Sequence, residues 1–147
     1  MGCDIHLHTE VKIGGAWHHY SHPNVNRWYG LFTKMAGVRG VRDITPISRP
    51  KGLPDLPSYL TALDAERWGQ DGHSHSWLDA REIAEVHDWV QKVYDEHYDE
   101  GNYRYPEQQW GYLFGSGWDS FYKYPNRAGT SIPLEIQDIR WVFWFDN

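Results

Sequence analysis

The sequence predicts an α+β fold: a single compact domain over residues 1–147, with a small, mostly antiparallel sheet, two or three helices packed on one side and long aromatic loops. Three features of the 147-residue chain indicate this fold. They are an alternating segment near the N-terminus, a long segment with a helical apolar stripe, and an apolar run near the C-terminus. Aromatic residues make up 16% of the chain, enough to fill the core of one ordinary domain and to leave some for a binding surface.

The first part of the chain predicts a β-hairpin followed by a short helix. Residues 3–13 alternate between apolar or β-forming side chains and polar ones, which is typical of a half-buried strand. The Gly-Gly pair at 14–15 is a hairpin turn signal, and residues 16–20 supply the returning strand. Residues 26–36 predict a helix that ends at Gly37.

The middle of the chain predicts one helix between two loops. Residues 37–57 are rich in proline, and a long irregular segment of this kind in a compact domain is often functional. Residues 57–68 predict a helix with Asp55 or Ser58 as its N-cap. The glycine, serine and histidine residues of 69–76 predict a polar loop.

The last third of the chain predicts the longest helix and a central strand. Asp79 and Glu82 form a capping-box pattern that opens a helix over 79–97. Residues 101–117 predict an aromatic loop. The nearly continuous apolar and aromatic run of 139–145 is typical of a strand that is buried on both faces.

Charge and hydropathy exclude several classes of partner. The chain has 14 Lys and Arg against 20 Asp and Glu, a net charge of −6 with neutral His, so we expect no binding to duplex DNA. A mean hydropathy of −0.72 without a long apolar run predicts no membrane contact. The single cysteine, Cys3, falls on the apolar face of the first strand, which predicts a buried thiol in a cytoplasmic protein. The sequence leaves open whether the chain forms a homo-oligomer.

One pattern, Asp-x-His-x-His, occurs twice and is the main candidate for chemistry. Its members are Asp4, His6 and His8 in the first copy and Asp71, His73 and His75 in the second. On an extended backbone alternate side chains point to one side, so each copy would aim a carboxylate and two imidazoles together. Such donors suit Zn²⁺ or Mn²⁺. We therefore expect Asp4, His6, Asp71, His73 and His75 to bind a metal if the copies face each other.

Simpler explanations exist for both copies. His6 and His8 would lie on the polar face of a strand, where solvent exposure alone explains them, and Asp71 and Gly72 form an ordinary turn pair. Without a metal, His6 or His75 could still act as a general acid or base. Three further histidines follow the hairpin turn and could extend the cluster: His18, His19 and His22. Of the neighbours His18 and His19, only one can face the cluster, because adjacent residues of a strand point to opposite faces.

Other residues are candidates for the reaction and for substrate binding. His8, Glu10 and His75 are candidate catalytic groups for proton transfer. Arg39 and Arg42 lie in the proline-rich segment of an otherwise acidic chain, and guanidinium groups suit phosphate. Aromatic side chains that could stack on a nucleobase complete the candidate substrate site: Trp77, Tyr105 and Trp110.

Six short motifs resemble, in order, a family of small proteins encoded by bacteriophages and prophages. They are Met-Gly-Cys-Asp-Ile-His at 1–6, Tyr-Gly-Leu-Phe at 29–32, Ala-Gly-Val-Arg at 36–39, Arg-Pro-Lys-Gly-Leu-Pro at 49–54, Asp-Gly-His-Ser-His-Ser-Trp-Leu at 71–78 and Arg-Trp-Val-Phe-Trp-Phe-Asp at 140–146. The resemblance spans nearly the whole chain. It implies a phage accessory protein, a class that often inhibits host defence by cleaving or sequestering nucleotide signals, and it implies no particular activity.

A second, local resemblance concerns the first copy of the repeated pattern. Asp-Ile-His-Leu-His-Thr at 4–9 is similar to the first metal-binding segment of the polymerase-and-histidinol-phosphatase phosphoesterases. The similarity implies metal-dependent phosphoester chemistry. It does not extend to that family's fold, because this chain is too short for the barrel.

Together these observations predict a metal-dependent hydrolase, a phosphodiesterase or nuclease that acts on a small nucleotide or on single-stranded nucleic acid. The alternative is a binding protein without turnover that sequesters a nucleotide signal or inhibits a host defence protein. A structural phage protein is a third hypothesis.

Overall fold

Four strands form one antiparallel sheet in the order β2-β1-β4-β3. The computed structural model describes residues 2–97 and 136–147. Within these ranges the strands are β1 (Asp4–Ile13), β2 (Ala16–Ser21), β3 (Gly72–Leu78) and β4 (Ile136–Asp146), and the helices are α1 (Tyr29–Ala36), α2 (Tyr59–Trp68) and α3 (Ala80–His97). The predicted α+β class with a small antiparallel sheet is therefore confirmed.

The hairpin of β1 and β2 follows from the alternation and the turn. Gly14 and Gly15 have φ angles of 59° and 79°, which glycine adopts without the steric cost of a side chain. The odd residues of β1 face the main core, with Ile5, Leu7 and Val11 buried. The even residues face the opposite side of the sheet.

The strand β4 lies at the centre of the sheet, between β1 and β3, as its apolar composition predicts. Phe143 and Phe145 are buried in the core cluster on one face. Trp144 is fully buried on the other face, where its register partner in β1 is His6. The aromatic run thus supplies large side chains to both faces.

Two helices, α1 and α3, pack on the apolar face of the sheet. Phe32 of α1 and Val86 of α3 are both fully buried in the same core cluster as β1 and β4. The predicted capping box opens α3, since Glu82 N–H donates to Asp79 Oδ1 at 2.8 Å and Asp79 N–H donates to Glu82 Oε1 at 3.1 Å. Helix α1 ends at Gly37, which has a φ angle of 73°.

The third helix, α2, covers the polar face of β1 and brings it the groups that form the site. Three alternate residues of β1 each meet one group from α2 or its N-cap: His6 contacts Trp68, His8 contacts Asp64, and Glu10 accepts from the backbone N–H of Ser58. For His6 and His8 the match arises because two strand residues advance the chain by about 6.7 Å and the four helical residues from Asp64 to Trp68 advance it by about 6 Å.

The segment predicted as a polar loop over 69–76 instead contains a short 3₁₀ turn, Gly69–Asp71, and the strand β3. The prediction was wrong because glycine, serine and histidine have low strand propensity and the alternation is broken inside the strand. Ser74 has a φ angle of 54°, and the pairing with β4 shifts register between His73 and Ser76.

None of the helices in the described ranges is long and apolar enough to cross a membrane. The predicted aromatic loop at 101–117 lies outside the described residues.

Candidate metal centre

His8 lies at the centre of a cluster of polar side chains on the face of β1 that α2 covers. It is only 3% exposed. Its Nε2 lies 2.8 Å from Asp64 Oδ2, and its Nδ1 lies 2.9 Å from His19 Nε2. Burial is the main reason that the pKa of His8 is lowered to about 4. The imidazole is therefore neutral at neutral pH.

The two hydrogen bonds of His8 determine which ring nitrogens carry protons. A carboxylate can only accept, so the bond to Asp64 requires the proton of neutral His8 to be on Nε2. Nδ1 of His8 must then accept a proton from His19 Nε2. Burial also lowers the pKa of His19, which favours the neutral ring that this arrangement requires. The result is a directed chain from His19 through His8 to Asp64.

His22 presents a free electron pair to the same cluster. Its Nδ1 donates to the backbone carbonyl of Leu7 at 2.7 Å, so in the neutral ring Nε2 holds the lone pair. Its ring stacks on His8 with centroids 4.1 Å apart and planes 10° apart. A histidine whose second nitrogen is bound to a carbonyl is the usual arrangement of a metal ligand, since that bond sets the tautomer and the ring orientation.

His8, His22 and Asp64 could hold a metal ion in place of the hydrogen bond between His8 and Asp64. The proton of His8 would then lie on Nδ1 and be donated to His19 Nε2, which leaves the lone pair of His8 Nε2 for the ion. One ligand atom from each residue lies within 4.8 Å of the other two. Two imidazoles and one carboxylate form a ligand set found at catalytic zinc sites, where further coordination positions remain open. Among the described residues, this is the group of His, Cys, Asp and Glu side chains with the geometry to bind a metal.

The cluster borders a cavity of about 440 Å³ between α2 and the strands β1 and β2. Four further residues line it beside the candidate ligands and the histidines His6 and His19: Leu60, Leu63, Arg67 and Trp68. The volume is in the range of cavities that bind a single small molecule. An ion bound by the cluster would be accessible to a ligand in this cavity.

The first copy of the repeated pattern contributes one residue to the cluster. Asp4 is held by Arg27, whose Nε and Nη2 donate to its carboxylate at 2.9 and 3.0 Å. His6 lines the cavity, but its Nε2 is 3.1 Å from Asp146 Oδ1 and its ring lies against Trp68 with centroids 4.0 Å apart. His8 alone belongs to the candidate ligand set.

The second copy does not meet the first, and its members do not point to one side. Asp71 lies in the 3₁₀ turn, and the left-handed backbone of Ser74 breaks the expected alternation. His73 therefore stacks near Phe145 on the core side, with its Nε2 2.7 Å from Asn147 Oδ1, whereas His75 lies against Trp144.

The strand β4 separates the two copies. The ring of Trp144 lies between them, with its centroid 5.3 Å from that of His8 and 5.7 Å from that of His75. Burial, together with the nearby His73, lowers the pKa of His75. The condition for one metal site shared by the two copies, that they face each other, is therefore not met in this sheet order.

Glu10, a predicted catalytic base, does not reach the cavity. It is fully buried, and both carboxylate oxygens are engaged: Oε1 accepts from Arg140 Nε and Oε2 from the backbone N–H of Ser58, each at 2.7 Å. In this position Glu10 serves as the counter-ion of a buried guanidinium.

The structure places the predicted substrate-binding residues away from the cavity or outside the described residues. Arg39 lies over the ring of Tyr29 at 4.7 Å, and Arg42 is an exposed partner of Asp43. The ring of Trp77 lies under Lys51 Nζ at 4.2 Å. The two remaining candidates, Tyr105 and Trp110, lie outside the described residues.

Sequence reasoning found part of the candidate ligand set. His22 is one of the three histidines that the sequence offers as an extension of the cluster. Of the adjacent pair His18 and His19, only one was expected to face the cluster: His19 faces His8, and His18 is exposed. Asp64 was missed. No sequence spacing relates a carboxylate in the middle of a helix to histidines more than forty positions earlier. The one feature of the sequence that could have indicated Asp64 is that it interrupts the apolar positions of α2.

No match to this chain was found among protein-family models, curated proteins or solved structures.

Proposed function

We propose that the protein is a metal-dependent hydrolase that cleaves a phosphoester bond of a small nucleotide or related organophosphate. The metal, Zn²⁺ or Mn²⁺, would be bound by His8, His22 and Asp64. The observation that carries the proposal is the convergence of these three side chains from β1, the segment after β2, and α2 at the wall of a cavity.

The ligand set suits this chemistry. A divalent ion with three protein ligands keeps positions for water and substrate, lowers the pKa of the bound water and polarises a phosphoryl oxygen. With an ion held by His8, His22 and Asp64, a water molecule would attack phosphorus, the bond from phosphorus to the ester oxygen would break, and the leaving oxygen would take a proton from solvent. His8 is neutral at neutral pH, as a metal-ligating imidazole must be.

The charge of the chain favours a small substrate over a long nucleic acid. With a net charge of −6, the protein would repel an extended phosphate backbone except at a local cationic group. A cavity of about 440 Å³ is in the size range of sites that bind one small molecule.

The test is hydrolysis of p-nitrophenyl phosphate and bis(p-nitrophenyl) phosphate by the full chain, purified without a polyhistidine tag. We expect activity that EDTA abolishes and that Zn²⁺ or Mn²⁺ restores. Asp64→Asn should lose at least about a hundredfold in kcat/KM. Glu66→Gln is the matched control, because Glu66 is an exposed carboxylate on the same helix.

Two results would count against a metal-dependent hydrolase. One is metal-independent turnover that Asp64→Asn leaves unchanged. The other is release of an intact ligand on denaturation with no turnover of either substrate, which would favour the alternative of a sequestering protein without catalysis.

A further inference from the structure

We infer that the cavity binds a small amphipathic phosphate monoester, with its phosphate between the metal ligands and Arg67 and its apolar group against Leu60 and Leu63. The inference rests on the proposed function and specifies its substrate class. It is carried by the arrangement of side chains along one face of α2.

Four residues on that face line the cavity: Leu60, Leu63, Asp64 and Arg67. Their spacing of three, four and seven positions places them in one stripe along the helix. The stripe is apolar at its N-terminal end, carries the candidate metal ligand in the middle, and is cationic at its C-terminal end. A ligand lying along it would meet these three environments in that order.

The two leucines that line the cavity are exposed apolar side chains. Leu60 is 51% and Leu63 is 43% exposed, and neither belongs to the core cluster. Small-molecule sites are lined mainly by apolar side chains with a few polar groups that fix the orientation of the ligand. This pair supplies an apolar surface next to the candidate metal ligands.

Arg67 supplies a cation that the described residues do not neutralise. Other basic side chains near the sheet pair closely with carboxylates, as Arg140 does with Glu10 and Arg27 with Asp4. Arg67 has no ion pair or hydrogen bond to another residue within the described ranges. A guanidinium beside a metal site is well suited to bind the oxygens of a terminal phosphate.

These features favour a monoester over a polymer. The cavity wall has one such guanidinium, and Trp68 follows it at the end of α2, with its ring centroid 4.0 Å from that of His6. A terminal phosphate needs one cationic contact region on the protein, whereas a nucleic acid strand needs a series of them. These side chains therefore favour a ligand with one phosphate and one apolar or aromatic group.

The experiment is a titration of the Co²⁺-loaded full chain with inorganic phosphate and with phenyl phosphate, followed by the visible absorption of Co²⁺. We expect phenyl phosphate to bind about tenfold more tightly than inorganic phosphate, because its ring contacts the leucines. Leu63→Asn should abolish this difference and leave phosphate affinity unchanged. Arg67→Gln should weaken both ligands about tenfold or more, whereas Glu66→Gln should change neither.

The results that overturn this inference differ from those that overturn the proposed function. If Co²⁺ binds and Asp64→Asn abolishes its spectrum, but phenyl phosphate and inorganic phosphate bind equally or Arg67→Gln has no effect, the substrate assignment is wrong and the metal centre stands. If Co²⁺ does not bind, the metal centre is wrong. In that case the metal-free chain is titrated with the same two ligands, and binding is followed by tryptophan fluorescence. The substrate assignment is wrong if Leu63→Asn and Arg67→Gln leave the affinity for both ligands unchanged.

Discussion

Replacing Glu10 with glutamine removes one charge of a buried ion pair and tests whether Glu10 has a structural role. Its side chain is fully buried and that of Arg140 is 7% exposed. Burial alone would raise the pKa of Glu10, but hydrogen bonds from Ser58 and Arg140 outweigh it and the pKa is lowered. The ionised form is thus the one that the fold stabilises.

The expected loss can be worked from the contacts. Glu10→Gln keeps the size of the side chain but leaves the guanidinium of Arg140 buried without a counter-charge. Its remaining contacts are the carbonyl of Leu56 at 3.2 Å and the ring of Trp17 at 4.1 Å. Removing one partner of a buried pair costs about 3–5 kcal/mol. For a chain of this length, that corresponds to a fall in Tm on the order of 10 °C.

Urea denaturation followed by tryptophan fluorescence measures this loss. The control is Glu85→Gln, which breaks the exposed pair with Arg81 at 2.8 Å and should cost less than about 1 kcal/mol. The double replacement Glu10→Leu with Arg140→Met should recover most of the stability, because no charge is then left buried. A loss below about 1 kcal/mol for Glu10→Gln would refute the structural assignment.

Three further predictions concern stability. In the metal-free protein the pKa of His8 is about 4 when folded and 6.5 when unfolded, so the stability from the neutral ring is complete above pH 6.5 and is lost as pH falls towards 4. Between pH 7.5 and pH 4.5 the contribution of His8 to this loss is about 2.5 kcal/mol. In urea titrations the total loss should be smaller by about this amount in a His8→Gln variant, because only the shares of His19 and His75 remain, and it should be unchanged in His18→Gln. Ser74 has a φ angle of 54°, which costs a β-branched residue more than glycine. By calorimetry, the free energy of unfolding of Ser74→Gly should stay within about 1 kcal/mol of the parent's, and that of Ser74→Val should fall further. Equal free energies for the two variants would contradict the strained turn. Phe32 is fully buried against Phe145, so Phe32→Ala should lower the free energy of unfolding by about 3–5 kcal/mol. Tyr59 is 77% exposed, so Tyr59→Ala should lower it by less than about 0.5 kcal/mol.

Elements with a strong local signal could be predicted from the sequence. The hairpin of β1 and β2 follows from alternation and a glycine pair, and α3 begins at the capping box of Asp79 and Glu82. The central position of β4 follows from its continuous apolar run. In each case the residues that determine the element lie within it, so a single sequence contains the necessary information.

The parts that could not be predicted depend on contacts between distant segments. The residues of β3 have low strand propensity, so the strand depends on its pairing with β4. It also depends on hydrogen bonds from the proline-rich segment, in which Gly52 N–H donates to the carbonyl of His75 at 2.8 Å. The candidate ligand set needs α2 to cover the polar face of β1, which brings Asp64 to His8. The repeated pattern was misleading because similar local sequences fold differently: Asp4–Ile13 is a regular strand, whereas Ser74 breaks the second copy.

The most direct test of the metal centre is a calorimetric titration of the metal-free full chain with Zn²⁺. We expect about one ion per chain, with affinity reduced at least tenfold by either Asp64→Asn or His22→Gln. His18→Gln, an exposed histidine on β2, and His73→Gln should bind Zn²⁺ like the parent. Loss of binding in His73→Gln with unchanged binding in Asp64→Asn, or no binding by the parent chain, would contradict a metal centre at His8, His22 and Asp64.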